Sequence, residues 1–519
     1  MARDGRESDG IRKVSVVPYI ELTDVLTSDV QSGDVVTYTA AAAGLDASVQ
    51  TRRVSINIAA RYEHQIAWHS RAGDADLVTG LANARFDVLP GVSLEGGALA
   101  TRSRPDSRGF APAFFANDLA NVSSVYSAYF GPSLSTGRGP IFVNAAYHFG
   151  YTKVTSPGST GAAPGTLLQD YFDDSKSQAA TVSTGFKSGT IAPFGVTLSA
   201  GWNREDMGQL DRRFDGLYVR GESLLPLTGT FALVGGVGYE KIKATSRDPR
   251  IDGAGNVVLD GRGRFVTDTI SPRRIAYQTD GIYWDAGVVW RPSPRTAVQG
   301  RAGRRYASWS FTGSLSYAPM RDVSVQIGVF DGIETFGNQL QSAVRTLPQQ
   351  FSQTRDLLAQ QFSGCTFGTT GGAAAGACLN SVFQSISTST YRARGVDAVV
   401  AASRGGTTLG FGAGYSNRRF YSPDSPGIVT GEARDESYYA QLFYTTPVGT
   451  NTTFSADLFA SYYDSGTVPP MFSLGATGSV SRSFGRLSTT ASVGAYTFSH
   501  AGVNDQTTGQ ALLGARYHF

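Results

Sequence analysis

Five histidines are the side chains with the clearest potential for acid–base chemistry, and the sequence assigns no catalytic partner to any of them. They are His64, His69, His148, His500 and His518. Asn144 and His148 lie four residues apart on one face of a predicted strand, which separates them by about 13 Å. No serine or carboxylate can be tied to either residue from the sequence. We therefore expect structural histidines rather than an enzyme, with no catalytic or cofactor-binding residue.

Two cysteines, Cys365 and Cys378, lie close together in the Gly/Ala-rich stretch GCTFGTTGGAAAGAC. In an exported chain such a pair can close a local disulfide, and the alternative is two free thiols. Too few other ligands lie nearby for a zinc site. The sequence therefore predicts a disulfide here and no metal centre.

Two glycine-rich runs, 235–238 and 410–414, have the composition of nucleotide-binding loops. Both lie inside predicted strands with no helix after them, so the phosphate-binding context is missing. We expect these glycines to relieve crowding in a curved sheet.

The composition indicates what kind of chain carries these residues. Only 17% of the 519 residues are charged, while 62 are glycine, 24 tyrosine and 29 phenylalanine; about 25% charged residues is usual for soluble domains. No apolar run reaches the roughly 20 residues of a membrane-spanning helix. The aromatic content argues against disorder, and the net charge of +3 gives no reason to expect nucleic-acid binding. These features together indicate a transmembrane β-barrel.

Alternation of apolar and polar residues with period two recurs to the last residue. In 451–462, Phe454, Leu458 and Tyr462 fall on one face, and Asp457 and Ser461 fall on the other. We count about 22 such segments, or about 18–24 if strands are merged or split, and their length suits tilted membrane strands. The sequence therefore predicts one antiparallel up-and-down transmembrane barrel over 14–519, with short periplasmic turns. Long outer loops are predicted near 105–121, 156–174, 247–272, 332–388 and 418–434.

The polar phase of these strands is predicted to line the lumen. Its charges mix both signs, whereas a pore selective for anions would show a dominant basic ring. The mixture favours water and polar, roughly neutral solutes such as glycans, and the other interpretation is ion pairing that stiffens the wall. Inward tyrosines would stack on sugar rings or fill the wall: Tyr126, Tyr218, Tyr283, Tyr439 and Tyr496. The candidate lining residues are Arg53, Arg61, Glu63, Arg85, Glu95, Lys187, Arg220, Glu222, Glu240, Asp285, Arg291, Arg301, Arg305 and Asp457.

The longest predicted loop, 332–388, contains the segment NQLQSAVRTLPQQFSQTRDLLAQQF. Its spacing of Leu, Val and Phe predicts one or two short amphipathic helices, broken near Pro348. Loops of this length are commonly functional. The loop lies on the barrel rim or folds inward to constrict or gate the lumen, and the sequence leaves both possibilities open.

In the C-terminal sequence GQALLGARYHF, every second residue is predicted to face outward, and the last residue is aromatic. This pattern resembles the signal that the barrel-assembly machinery recognises, so Tyr517 and Phe519 are candidate assembly residues. That machinery and the outer-membrane lipid are expected partners. Aromatic girdles at the membrane interfaces are predicted to include Trp202, Trp284, Trp290 and Tyr517.

The first residues, MARDGRESDG, lack the apolar core of a secretory signal. We expect 1–13 to form a short periplasmic tail, the export signal to have been removed, and the barrel to lie in the outer membrane of a Gram-negative bacterium. An energy-coupled transporter would need an N-terminal plug domain, and only about 13 residues precede the first predicted strand.

The first third of the chain resembles a family of outer-membrane barrels encoded with exopolysaccharide and PEP-CTERM/exosortase systems. The resemblance lies in VVPYIELTDVLTSDV and VVTYTAAAAGLDASVQTRRVSINIAARYEH. Pro18, Thr23-Asp24, Thr51-Arg52-Arg53 and the strand through Tyr62 match the family pattern, while Val25 stands where the family has Asn. The resemblance covers roughly residues 14–120 and carries over no individual functional residue.

That resemblance implies a role in secreting or anchoring an extracellular polymer. We therefore expect an outer-membrane pore that exports an envelope polysaccharide passively, with 332–388 as a gate and periplasmic export components as partners. Two alternatives stay open from the sequence: a general or solute-specific porin for small polar solutes, and a structural or adhesive barrel without transport.

Overall fold

A closed β-barrel accounts for most of the chain in the computed structural model. Twenty-two strands pair antiparallel with their neighbours along the chain, and the last strand pairs back onto the first, which closes the sheet. This confirms the predicted fold and strand number. The described residues are 13–68, 75–103, 123–155, 172–261, 264–320, 322–346, 351–353, 365–368, 376–383, 386–423, 434–466, 470–500 and 503–519.

The barrel strands fall into two runs of eleven along the chain. The first run is β1 Lys13–Asp29, β2 Val35–Gln50, β3 Val54–Ala67, β4 Ala75–Leu89, β5 Val92–Ser103, β6 Ser123–Arg138, β7 Ile141–Thr155, β8 Asp174–Phe186, β9 Gly195–Met207, β10 Arg212–Pro226 and β11 Phe231–Ser246. The second run is β12 Arg274–Ser293, β13 Thr296–Arg305, β14 Ser308–Met320, β15 Val323–Glu334, β19 Thr390–Arg404, β20 Thr407–Tyr421, β21 Arg434–Pro447, β22 Thr452–Asp464, β23 Met471–Phe484, β24 Leu487–His500 and β25 Val503–His518.

The connection between β15 and β19 carries two helices and three short strands. We call residues 335–389 the lumenal segment. Its helix α1 ends before the predicted break at Pro348, and its three short strands pair antiparallel. Residues 354–364, where a second helix was predicted, lie outside the described residues. The elements are α1 Phe336–Thr346, β16 Phe351–Gln353, β17 Cys365–Gly368, β18 Gly376–Cys378 and α2 Asn380–Phe383.

Alternating burial along the barrel strands separates an outer from an inner face. On β25, Leu513 is 67% exposed while its neighbour Leu512 is 3% exposed. On β24, Val493 is likewise exposed and faces the same side as Leu513. Large apolar side chains on the outside of a closed barrel are suited to contact with lipid. None of the helices in the described ranges is long and apolar enough to cross a membrane.

The connections differ in length between the two ends of the barrel. The long ones follow β5, β7, β11, β15 and β20, and all emerge at one end, which we call the long-loop end. At the opposite, short-turn end, glycines such as Gly91 (φ 82°) and Gly485 (φ 65°) adopt the left-handed conformation that tight turns require.

Several predicted loop boundaries can be compared with the strands. The connection after β11 runs to Arg273, close to the predicted 247–272. Residues 418–421 were predicted as loop but belong to β20, because Arg418 is inward and paired with Asp435 on β21. The predicted tail over 1–13, except Lys13 at the start of β1, lies outside the described residues, as do 105–121 and most of 156–174.

Candidate functional site

The inward phase of the wall contains twelve of the fourteen predicted lining residues. Arg61, for example, pairs with Thr79 in register, and both are buried on the inner face. Arg291 lies on this phase at the exposed short-turn end of β12. The other residues on the inward phase are Glu63, Arg85, Glu95, Arg220, Glu222, Glu240, Asp285, Arg301, Arg305 and Asp457.

Three predictions on the wall are wrong. Arg53 lies in the turn before β3, and Lys187 follows the end of β8, so both are exposed in turns rather than on the wall. The apolar–polar alternation continues past the last strand residues, where ladder pairing has already stopped. Tyr126 on β6 shares the outward phase of the exposed Phe130 and therefore does not face the lumen.

Four inward charges form one network across β10, β12 and β13. Arg220 donates to both oxygens of Asp285, with Nη2 2.8 Å from Oδ1, and also to Glu222 Oε2 at 3.1 Å. Arg301 Nη2 donates to Glu222 Oε1 at 3.2 Å, and Arg301 Nη1 lies 3.7 Å from Asp285 Oδ1. Each charge therefore meets two of opposite sign, so this part of the wall is electrically balanced.

A second network joins the two ends of the chain through Glu21 on β1. Glu21 Oε1 accepts from Arg61 Nη1 on β3, and Oε2 accepts from Arg516 Nε on β25, each at 2.7 Å. Arg61 Nη2 also lies 2.6 Å from Glu63. The Arg61 and Glu21 side chains are only 2% and 6% exposed. One buried carboxylate thus ties the last strand to the first and the third.

Helix α1 of the lumenal segment lies inside the barrel and packs against the inner wall. Phe336, Leu340 and Val344 recur every four residues on one face of α1 and are buried. They join one apolar cluster with inward-facing Leu99 on β5 and Val125 on β6. Apolar side chains on an inner wall would be costly to hydrate, and α1 removes them from water.

A carboxylate on the wall caps the start of α1. Glu205 on β9 is fully buried and accepts hydrogen bonds from the Thr335 hydroxyl and from the backbone N–H of Asn338 at 3.0 Å. The first N–H groups of a helix have no partner within the helix, and they carry partial positive charge. Glu205 therefore supplies from the wall the acceptor that a capping side chain ordinarily supplies from the helix itself.

Polar contacts continue along α1. Gln341 Nε2 donates to Thr152 Oγ1 at 3.3 Å, and its Oε1 accepts from Ser177 Oγ at 2.5 Å. A Cβ atom at Gly150 on β7 would overlap the Gln341 amide, so glycine permits this approach. Arg345 Nη1 lies 3.2 Å from His148 Nδ1, and burial lowers the pKa of Arg345. Helix α1 is thus held by polar contacts along its length as well as by its apolar face.

The disulfide between Cys365 and Cys378 joins β17 to β18 within the segment, and this small sheet is held to the wall through Cys365. The Cys365 N–H donates to Gln441 Oε1 at 2.9 Å, and Gln441 Nε2 donates to Asp457 Oδ2 at 2.8 Å. Cys365 packs in a buried cluster with Val399 on the wall. The disulfide prediction is confirmed, and the lumen surface that it contacts is formed by β19–β21.

Replacing Cys378 by Ser is expected to loosen this attachment. A bond closing a loop of 13-residue separation stabilises the closed form by about 2 kcal/mol. We expect roughly 30-fold faster hydrogen exchange at the Cys365 amide. Amides in the pairing of β23 with β24 are the internal control. Unchanged exchange at Cys365 would mean that the wall contacts alone hold this sheet.

Three of the four inward tyrosines make contacts within the protein. The Tyr439 hydroxyl donates to Asp397 at 2.8 Å, Tyr283 lies under the Arg305 guanidinium at 4.8 Å, and Tyr496 packs on Phe459. The fourth, Tyr218 on β10, is half-buried. These contacts fit tyrosines that fill the wall.

Sequence reasoning missed several charged residues of the lumen, among them Glu21, Glu205, Asp397, Arg418, Asp435 and Arg516. Arg418 and Asp435 form a fully buried pair, with Arg418 Nε 2.8 Å from Oδ1 and Nη2 2.6 Å from Oδ2. The period-two rule could have found Glu21, which is in phase with Thr23. Across the part of the chain that the structure describes, no three potential metal ligands cluster to hold a metal.

No family model and no curated protein matches the sequence. Solved structures of similar shape include the ferric-catecholate import receptor Fiu from E. coli K12 in its open form, with 11% identity and a TM-score of 0.47 over 96% of this chain and 81% of that one. The FrpB iron transporter of Neisseria meningitidis (F5-1 variant) gives 10% identity and a TM-score of 0.43 over 98% and 83%. The FpvAI–pyocin S2 complex gives 11% and 0.42 over 97% and 73%. Structural similarity at these identities and TM-scores does not support an inference about function.

The architecture itself identifies the compartment. The strands close without an edge, the outer face carries exposed apolar residues such as Leu198 and Val237, and Trp202, Trp284 and Trp290 face outward as predicted. Long connections occur at one end only. These are the features of bacterial outer-membrane barrels. The protein is a 22-stranded β-barrel of the outer membrane.

Proposed function

We propose that the protein is a gated transport channel of the outer membrane, closed in this conformation by the lumenal segment. The observation that carries the proposal is the placement of α1 inside the barrel, where Glu205 of the wall caps its N-terminus and Gln341 of α1 is hydrogen-bonded to the wall. Barrels of 16–18 strands enclose open channels, and barrels of 22 strands are wide enough to need a plug. A segment of the chain performs that role here.

The position of the segment suits a gate. It is tethered through the end of β15 and the start of β19, both at the long-loop end, so it can move without breaking a barrel ladder. Its described contacts with the wall include hydrogen bonds to wall side chains and two apolar clusters, and the 22-strand ladder does not include it. Outward displacement would leave the closed barrel intact.

The cargo that we propose is a hydrated, roughly neutral polymer, an envelope polysaccharide that leaves the cell passively. Support comes from a wall whose charges are compensated in pairs, as in Arg220 with Asp285 and Arg305 with Glu240, so neither sign dominates. Such a wall would neither trap nor repel a neutral hydroxyl-rich chain. Periplasmic export components and the barrel-assembly machinery, acting through Tyr517 and Phe519, are the partners in this proposal.

Replacing 336–386 by a short Gly/Ser linker tests the channel. We expect the single-channel conductance in planar bilayers to rise by roughly an order of magnitude, because the lumen then lacks its plug. The intact protein measured in the same bilayers is the reference, and a mobility shift on heating confirms that the shortened barrel has folded. A conductance equal to that of the intact protein would contradict the gate.

The cargo requires a separate measurement. Deletion of the gene is expected to abolish secreted polysaccharide, and the intact gene on a plasmid should restore it. Two results together would instead favour the porin alternative: liposomes that contain the protein swell in small sugars, and the deletion strain secretes an unchanged amount of polysaccharide. Absence of both effects would favour a structural or adhesive barrel.

A further inference from the structure

The lysines of this protein are few and concentrated in one place. The chain has six lysines, and four of them lie near the long-loop ends of β7, β8 and β11. The other two, Lys13 and Lys187, lie at the short-turn end, at the start of β1 and after β8. We call Lys153, Lys176, Lys241 and Lys243 the outer lysine patch.

All four side chains project from the outer face of the barrel. Lys176 stands between buried Ser175 and Ser177, whose side chains face inward. Lys241 and Lys243 alternate with buried Ile242 in the same way, and all four lysines are exposed. The patch therefore faces the surroundings of the barrel rather than its lumen.

The strands between these lysines complete a continuous charged band. Arg204 on β9 and Arg213 on β10 also face outward, and the register sets Lys176 opposite Asp206 and Lys243 opposite Asp215. From β7 to β11 the band spans four strand spacings, about 19 Å. Its six cations face four carboxylates: Asp174, Asp206, Asp215 and Asp280.

Three lysines of the patch retain free charge. Asp206 pairs with Arg204 at 2.9 Å and with Arg213, and Asp280 lies 3.7 Å from Lys241. Within the described ranges, Lys153, Lys176 and Lys243 form no ion pair. With six cations against four carboxylates the band keeps a net positive charge, and ammonium groups on flexible stems suit phosphate oxygens as point charges.

The apolar band of the barrel sets the depth of the patch. The outward residues that follow the patch toward the short-turn end are aromatic and apolar. Trp202 pairs in register with Leu217, and Tyr239 pairs with Ile282. Aromatic and apolar residues of this kind mark the boundary between headgroups and acyl chains. The lysines beyond them therefore lie at the level of the headgroups in the outer leaflet.

We propose that the outer lysine patch binds the phosphate groups of a phosphorylated glycolipid in the outer leaflet. Its cations lie at headgroup depth, exceed the neighbouring carboxylates, and account for most of the lysines in the chain. The acyl chains of the same lipid would cover Trp202 and Leu217. This site is independent of the lumen and of what passes through it.

Binding of diphosphorylated lipid A to the purified barrel in detergent, measured by native mass spectrometry, tests the proposal. We expect K176Q/K243Q to bind roughly 25-fold more weakly, from about fivefold per lysine near a charged headgroup surface. K13Q/K187Q removes the same charge from the short-turn end and should bind as the parent does. Heat-dependent mobility on a gel shows whether each variant is folded, and K153Q/K241Q is the second variant if the first is not.

Two further probes distinguish the lipid from a free anion. Lipid A without phosphates should bind at least about tenfold more weakly to the parent, and inorganic phosphate in the millimolar range should not displace the diphosphorylated form. Unchanged binding in K176Q/K243Q, equal losses in K13Q/K187Q, or displacement by inorganic phosphate would each overturn the proposal.

Discussion

Replacing Glu21 by Ala is expected to destabilise the closed barrel by about 3–5 kcal/mol, because it leaves a buried arginine without its main partner. Arg61 is 2% exposed and would keep only Glu63 among its ion pairs described above. Arg516 would lose the same carboxylate at the seam between β25 and β1. The temperature at which the folded band disappears on a semi-native gel measures the loss.

The position of Glu21 makes the effect specific to closure. The pairing of β1 with β25 joins the two ends of the chain, so it carries the largest loop-closure entropy of any ladder in the barrel. We expect slower refolding into detergent micelles as well as lower stability, since the missing contacts span that seam.

Two variants control for the loss of a carboxylate as such. Glu95 pairs with Arg85, whose side chain is 43% exposed, so Glu95→Ala should cost no more than about 1 kcal/mol. Glu21→Gln keeps an acceptor oxygen and should fall between Glu21→Ala and the parent. Equal melting of Glu21→Ala and Glu95→Ala would show that the seam does not depend on this network.

The sequence predicts the wall of this barrel well because each strand has one lipid-facing and one lumenal side. Leu458 and Asp457 could be assigned to opposite faces from alternation alone, and the strands keep that register. Arg53 and Lys187 were assigned to the wall wrongly because alternation does not mark where a strand ends. Turn boundaries depend on which backbone groups pair, and the amino-acid sequence indicates that pairing only weakly.

The interior could be predicted only in part, since its contacts join distant residues. Glu205 is separated by 130 residues from Thr335, and a period-two pattern shows that Glu205 faces inward without showing what it meets. The amphipathic face of α1 was visible as Leu340 and Val344, but an apolar face can cover a rim or a lumen equally well. The deciding feature is the apolar patch on the wall at Leu99 and Val125, which alternation alone does not mark as a docking surface.

Replacing Glu205 by Ala is expected to release α1 from the wall and to open the channel. The change removes the acceptor for the Thr335 hydroxyl and for the Asn338 N–H, and hydrogen bonds to a charged group contribute about 1.5–3 kcal/mol each. A loss of about 3 kcal/mol raises the ratio of released to docked α1 by at least about 100-fold. Single-channel recording should show a matching rise in the frequency of open events.

Matched variants separate release of α1 from damage to the barrel. Glu205→Gln retains an acceptor oxygen and should open the channel less often than Glu205→Ala. Asp206→Ala changes the next residue on the same strand, which faces outward and touches no part of α1, so its conductance should equal that of the parent. If Glu205→Ala were folded and its open events stayed at the parental frequency, the apolar face of α1 alone would hold the lumen closed and the cap would have no part in gating.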